Sequence, residues 1–191
     1  MKLVILDRDG TIGDMSGAQS DLSSEWQPLP GALQAIARLN HGGWHVVIAS
    51  NEGGLGRGVY EMTKLNDLQA RMYKMLAVSG ARIEAMFFCP HAPDEACGCR
   101  KPGPGLFVQI GERYGIDLKG TPVVGDSLDD AIAAAAAGCD PHLVLTGEGA
   151  QYRGSPLPDT FPPGVMVHED LAAFVKYLGA RDDLVVAAGT P

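Results

Sequence analysis

The chain has 191 residues, 46% of them hydrophobic and 20% charged, with a formal net charge of -8. This suits one globular domain with its own core and excludes a disordered or collagen-like chain. The acidic balance argues against nucleic acid or an anionic membrane surface as the main partner, but it leaves room for a phosphorylated small molecule held by a metal and a few local cations. No apolar run is long enough to span a bilayer, and Met1 leads straight into a strand-like segment without an export signal, so a cytoplasmic protein is expected.

Strand-like and helix-like segments alternate along the chain, the pattern of a Rossmann-like parallel sheet flanked by helices. Lys2 to Leu6 reads as a buried first strand, because Leu3-Val4-Ile5-Leu6 is an uninterrupted apolar run. It ends in Asp7-Arg8-Asp9-Gly10-Thr11. On extended chain Asp7 and Asp9 point the same way, and two neighbouring carboxylates without a cation are unfavourable, so a divalent metal is expected there.

A polar loop with Gly13, Gly17 and Pro28 leads to a helix near Pro30, with Leu33, Ile36, Ala37 and Leu39 on one face and Gly42-Gly43 as its stop. Trp44 to Ala49 is the second strand and Ser50-Asn51 its end. The glycine-rich loop Gly53 to Gly58 precedes a helix over Thr63 to Val78. Ile83 to Phe88 is a third strand, Pro104 to Tyr114 a helix, and Pro122 to Val124 a short strand ending in Gly125-Asp126. The alanine-rich stretch Asp129 to Ala137 reads as a helix. Leu143 to Leu145 and Val165 to Val167 read as strands, with Gly147 to Gly164 between them as a surface loop. Leu171 to Leu178 is the last helix. Residues 1–179 are therefore expected to form a single domain, and 180–191 a tail with no docking signal.

Four polar features fall at strand or loop edges: Asp7 with Asp9, Ser50-Asn51, Lys101, and Gly125-Asp126-Ser127 with Asp130. In this order they resemble the haloacid dehalogenase superfamily of phosphatases, whose D-x-D-G-T signature matches Asp7 to Thr11. Its second motif matches Ser50, its third Lys101, and its fourth, G-D-x-x-x-D, matches Gly125-Asp126 and Asp130. The resemblance covers residues 2 to about 146. It implies that Asp7 is the nucleophile and Asp9 the proton donor and acceptor. It further implies magnesium on Asp7, Asp126 and the backbone carbonyl of Asp9, with Ser50, the Asn51 backbone and Lys101 holding the phosphoryl oxygens.

Cys89-Pro90-His91 and Cys97-Gly98-Cys99 supply three sulfurs and one imidazole, C-x-H followed after five residues by C-x-C. In a chain without an export signal this reads as metal binding. A closed set of four ligands points to structural zinc, which would rigidify the loop and present Arg100 and Lys101. Within the superfamily, C-P-H…C-x-C-R-K-P is similar to the heptose bisphosphate phosphatases and the histidinol-phosphatases. The run G-G-L-G-R-G, ending in Arg57-Gly58, favours the former and hence a sugar bisphosphate substrate. Substrate contacts are expected from Asn51, Glu52, Gly53, Arg57, Arg100 and Ser127, and from the stretch Met15 to Ala18. The chain departs from the family pattern at Glu52, where relatives usually carry Gln, at Gly13, where Asn is frequent, and at Ser127, where many carry Lys. No segment is long enough for a large cap domain, so the site should be open and complete in a monomer. Cys139 reads as a small core residue. His41, His45, His142 and His168 read as surface or satisfied histidines, and Trp26 and Trp44 as packing residues.

Overall fold

A computed structural model of the chain describes residues 1–15 and 26–188. The expected recognition stretch Met15 to Ala18 lies outside the described residues, apart from the backbone of Met15. The elements in chain order are β1 Lys2–Leu6, β2 Gly13–Met15, β3 Trp26–Pro28, α1 Ala32–His41, β4 Trp44–Asn51, α2 Gly53–Gly56, α3 Met62–Val78 and β5 Ala85–Cys89. They continue with α4 Gly105–Tyr114, β6 Pro122–Gly125, α5 Leu128–Ala136, β7 Asp140–Val144, a 3-10 turn Gly147–Tyr152, β8 Met166–His168 and α6 Leu171–Ala188.

Six strands form one sheet in the order β5-β4-β1-β6-β7-β8, with every neighbouring pair parallel. Strand alternation divides its apolar side chains between two cores. Val4, Leu6, Val46, Ile48 and Val124 pack with residues of α1, α3 and α6. Leu3, Ile5, Val47, Ala49 and Val123 pack with Leu106, Phe107 and Ile110 of α4 and with Ala133 and Ala134 of α5. Helices cover both faces, so the central strands are apolar on both sides, which is why they read as continuous runs.

Ile5 and Leu6 lie level with Val47 and Ile48 on one side and with Val123 and Val124 on the other. Asp7 follows directly, and its N–H donates to Val124 O at 2.8 Å. Register therefore delivers the ends of β1, β4 and β6 to one carboxyl edge, where parallel α/β sheets bind ligands.

Four elements are absent from the sequence reading: β2, β3, and α2 and the 3-10 turn, both of which it gives as loop. β2 and β3 pair antiparallel as a small separate sheet, with Trp26 buried over Gly13. Each has three residues, too few for alternation to register. The last helix, predicted to end at Leu178, runs on to Ala188. No described helix is long and apolar enough to cross a membrane.

Candidate active site

The site opens from the carboxyl edge of β1, β4 and β6 as a cavity of about 650 Å³. Asp7 and Asp126 sit at its floor with Lys101, which is 3% exposed. The Lys101 ammonium donates to Asp7 Oδ1 at 2.6 Å, to Asp130 Oδ1 at 2.6 Å and to Ala49 O at 2.8 Å. All three of its protons are thus directed. Burial opposes its charge, but Asp130 and Asp7 outweigh burial and raise its pKa.

Two close approaches require glycine. Gly10 has φ +74, and a Cβ there would lie 1.9 Å from Asp126 Oδ2. A Cβ on Gly125 would meet the Asp130 carboxyl at 2.3 Å. The sequence pattern alone gives Asp130 no separate role. In the fold it anchors Lys101 and caps α5: Ser127 N–H and Oγ donate to its Oδ2, and its own N–H donates to Ser127 Oγ.

The floor has more negative than positive charge. Burial, followed by Asp7 and Asp130, raises the Asp126 pKa to about 8. Burial raises that of Asp7 to about 7, with Asp130 and Asp9 adding to the rise and Lys101 opposing it. Oxygens of Asp7, Asp126 and Asp130 lie within 4.8 Å of one another. Three clustered carboxylates facing one ammonium are the donor set of a hard divalent cation. Both Asp130 oxygens are already engaged by donors, so Asp7 and Asp126 are the side chains suited to hold it.

Asp9 lies on the cavity wall, and its carboxylate is paired with Arg8 rather than with the floor. The expectation that Asp9 meets a metal through its backbone carbonyl leaves the side chain for other work. Ser50 lines the cavity, yet its hydroxyl donates to Glu52 at 2.8 Å. Asn51 also lines it, but its side chain clamps the Lys101 backbone: Nδ2 donates to Lys101 O at 3.0 Å, and Lys101 N–H donates to Oδ1 at 3.1 Å. Arg100 stands in the cavity with Nη1 toward His91 O at 3.4 Å. Ser127 reaches the cavity too, with its hydroxyl closed into the capping pair.

Three expected substrate contacts lie off the cavity wall. Glu52 is 1% exposed and turned inward, accepting from Arg8, Ser50 and Tyr60. Gly53 is buried beneath Arg100, where a Cβ would come 3.0 Å from Nη1. Arg57 is exposed at the end of α2 and does not line the cavity. Conversely, Glu148 and Tyr152 line the cavity, and the Glu148 N–H donates to Asp126 Oδ2 at 2.7 Å. The sequence offers only a glycine-rich loop there, with no periodicity to mark a site wall.

Beside the cavity, Cys89 at the end of β5 meets His91, Cys97 and Cys99. Cys89 Sγ lies 3.4 Å from His91 Nδ1, 3.7 Å from Cys97 Sγ and 3.1 Å from Cys99 Sγ. All four ligand atoms fall within 4.8 Å of one another. A tetrahedral zinc with Zn–S bonds of about 2.3 Å separates its sulfurs by about 3.7 Å; the Cys89–Cys97 spacing matches this and the Cys89–Cys99 spacing is shorter, and three thiols with one imidazole are donors of the type that hold zinc.

Residues 98–173 match the family described as HAD-hydrolase-like. The chain is 49% identical over 178 residues to the D-glycero-beta-D-manno-heptose-1,7-bisphosphate 7-phosphatase of Bordetella bronchiseptica, covering 93% of this chain and 98% of that one. It is 44% identical to the enzyme of that name from Pseudomonas aeruginosa, over 92% and 97% of the two chains. Its fold matches the crystal structure of the B. bronchiseptica D,D-heptose 1,7-bisphosphate phosphatase complexed with magnesium and phosphate, with a TM-score of 0.87 at 48% identity over 95% of this chain and 99% of that one. The corresponding Burkholderia thailandensis structure matches with a TM-score of 0.70 at 43% identity, over 94% and 99%. The protein therefore belongs to the haloacid dehalogenase-like phosphatases, in the family of the heptose-1,7-bisphosphate 7-phosphatases.

Proposed function

We propose that this protein is a magnesium-dependent phosphatase that removes the 7-phosphate of D-glycero-β-D-manno-heptose 1,7-bisphosphate through an aspartyl phosphate on Asp7. The observation that carries the reading is the Asp7 carboxylate, held at 2.6 Å by the Lys101 ammonium beside Asp126 in an open cavity. The names and full-length similarity of the relatives support the substrate and its β anomer.

Asp7 attacks phosphorus, and Asp9 gives a proton to the departing alkoxide, then takes one from the water that opens the aspartyl phosphate. Lys101 sits beside Asp7 to receive phosphoryl oxygens, and Asn51 fixes Lys101 from behind. Asp7, Asp126 and the Asp9 carbonyl would hold magnesium, which supplies charge neutralisation between carboxylates and phosphate. Of Arg57 and Arg100, both expected to contact substrate, Arg100 lines the cavity and meets the second phosphate. Cys89, His91, Cys97 and Cys99 hold a structural zinc. All these residues belong to one chain, which suits a monomer. The unpaired cysteines suit a reducing, cytoplasmic setting.

The test is phosphate release from both anomers of heptose 1,7-bisphosphate and from histidinol phosphate, with magnesium. The expected result is a preference for the β-bisphosphate by at least about tenfold in kcat/KM, abolished in Asp7→Asn. A preference for histidinol phosphate refutes the substrate, and full activity in Asp7→Asn refutes the nucleophile.

A further inference from the structure

The geometry points to Arg8 as a positioning residue for Asp9, gripping its carboxylate with one edge of the guanidinium while Glu52 fixes the other. This rests on the reading of Asp9 as the proton donor. Arg8 lies between the two signature aspartates, just past the end of β1, where the chain bends. It is 1% exposed, among the most buried large side chains of the molecule. Nε donates to Asp9 Oδ1 at 3.0 Å and Nη2 to Asp9 Oδ2 at 2.6 Å. Nη1 donates to Glu52 Oε1 at 2.5 Å, and Nη2 also reaches Glu52 Oε2 at 3.3 Å. Glu52 is itself held by the Ser50 hydroxyl at 2.8 Å and the Tyr60 hydroxyl at 2.7 Å.

A buried guanidinium is costly unless its charge and its donors are met, and one buried carboxylate would suffice to neutralise it. Here a second carboxylate is gripped in the bidentate geometry that fixes a plane as well as a distance. Of the two carboxylates, Asp9 alone reaches the cavity: its side chain is 44% exposed, against 1% for Glu52. Rigidity thus runs from the core through Glu52 and Arg8 to the one group in the network that can reach a leaving oxygen. When the Asp7–phosphorus bond forms and the phosphorus–oxygen ester bond breaks, the bond pair stays on the ester oxygen and the Asp9 proton moves to it. An Asp9 carboxyl free to rotate would meet that oxygen less often.

The experiment compares kcat/KM for heptose 1,7-bisphosphate, whose alkoxide needs a proton, with that for 4-nitrophenyl phosphate, whose phenolate leaves without one. Because kcat/KM reports steps up to release of the alcohol, later hydrolysis of the aspartyl phosphate does not enter. Arg8→Met is made in a Glu52→Gln background, so that no buried charge is left unpaired, and is compared with Glu52→Gln alone. Arg8→Lys keeps a buried cation for Glu52 but cannot grip both Asp9 oxygens, and serves if the double variant fails to fold. The expected loss is roughly ten- to hundredfold greater on the sugar ester than on the nitrophenyl ester, in the same sense as Asp9→Asn. Equal losses on both esters would show a structural role only, and a gain on the sugar ester would show that Arg8 withholds Asp9; either overturns the proposal. If Asp9→Asn itself fails to discriminate between the esters, the proton-donor reading falls and the proposal with it.

Discussion

Glu52 Oε1 receives both the Ser50 hydroxyl, at 2.8 Å, and Arg8 Nη1, at 2.5 Å. An ionised carboxylate can only accept hydrogen bonds, so the single Ser50 proton is committed to Glu52. To donate to a phosphoryl oxygen, Ser50 must give up that bond, at a cost of about 1 kcal/mol. An amide nitrogen in place of Oε1 can instead donate to Ser50 and leave its proton for the phosphate; the carbonyl then keeps Tyr60 and Arg8 Nη2, and Arg8 Nη1 loses its partner. Glu52→Gln is therefore expected to tighten competitive inhibition by inorganic phosphate by about fivefold. Ser50→Ala should erase the difference between Glu and Gln. Weaker or unchanged phosphate inhibition in Glu52→Gln would defeat this account. The sequence shows Glu52 as a departure at the edge of the site. Its effect passes through Ser50 and Arg8, because the chain turns into α2 directly after it.

The connection from β5 to α4 has no regular structure, yet it carries both Arg100 and Lys101 into the cavity. Few backbone bonds hold it: Glu95 N–H reaches Ala92 O at 3.1 Å, Gly103 N–H reaches Arg100 O at 2.7 Å and Gly105 N–H reaches Gly98 O at 3.1 Å. The Asn51 clamp ties its end to β4. The Cys89, His91, Cys97 and Cys99 cluster is what closes the rest, so a metal there is worth much of the loop's order. The purified protein should contain one zinc per chain. Stripping it with a chelator, or Cys97→Ser, should lower the unfolding midpoint by roughly 10 °C, corresponding to ~3 kcal/mol. The same treatment should reduce kcat/KM, and added magnesium should not restore it. Absence of stoichiometric zinc, or removal without effect on the midpoint, would rule this out. Elements of this kind differ in how far the sequence exposes them. The central strands are legible because both faces are apolar, and the Cys89, His91, Cys97 and Cys99 cluster because its spacing is unusual. The Asp7, Lys101 and Asp126 floor is legible because each residue follows a strand or the metal loop. How Glu52, Gly53 and Arg57 sit relative to the cavity is not legible, because one short helical turn sets the course of the chain there. The wall from Glu148 to Tyr152 and the β2–β3 pair are missed because neither has a periodic pattern.

Across the whole molecule, protonation acts on stability from two distant places with opposite sign. At the far end of the sheet, β7 and β8 bury His142 and His168 with ring nitrogens 3.0 Å apart, packed against Phe174 and Tyr177 of α6. Burial, then His168 and Arg181, lower the His142 pKa to about 3. The unfolded chain, with an ordinary imidazole near 6.5, therefore binds a proton that the folded protein refuses. The stability contributed by neutral His142 is full above about pH 6.5 and is lost as the pH falls from there toward 3, by up to ~1.4 kcal/mol per pH unit. The catalytic floor does the reverse. Asp7 and Asp126 keep protons to about 7 and 8 when folded, so without magnesium the folded protein loses stability as pH rises from the ordinary carboxylate range to about 8. The two trends oppose each other between about pH 4 and 6.5, and only the carboxylates act above it. Two carboxylates outweigh one histidine, so the unfolding midpoint of magnesium-free protein should decline gently across the lower interval and more steeply just above pH 6.5, the decline ending near pH 8. His142→Phe should remove the acid-side loss and leave the decline above pH 6.5 in place. Saturating magnesium should remove that decline, because the cation binds the ionised pair and draws the equilibrium toward the folded state. A midpoint in His142→Phe that follows the parent protein at pH 5 would contradict the histidine half of the argument. A decline toward pH 8 that magnesium leaves untouched would contradict the carboxylate half.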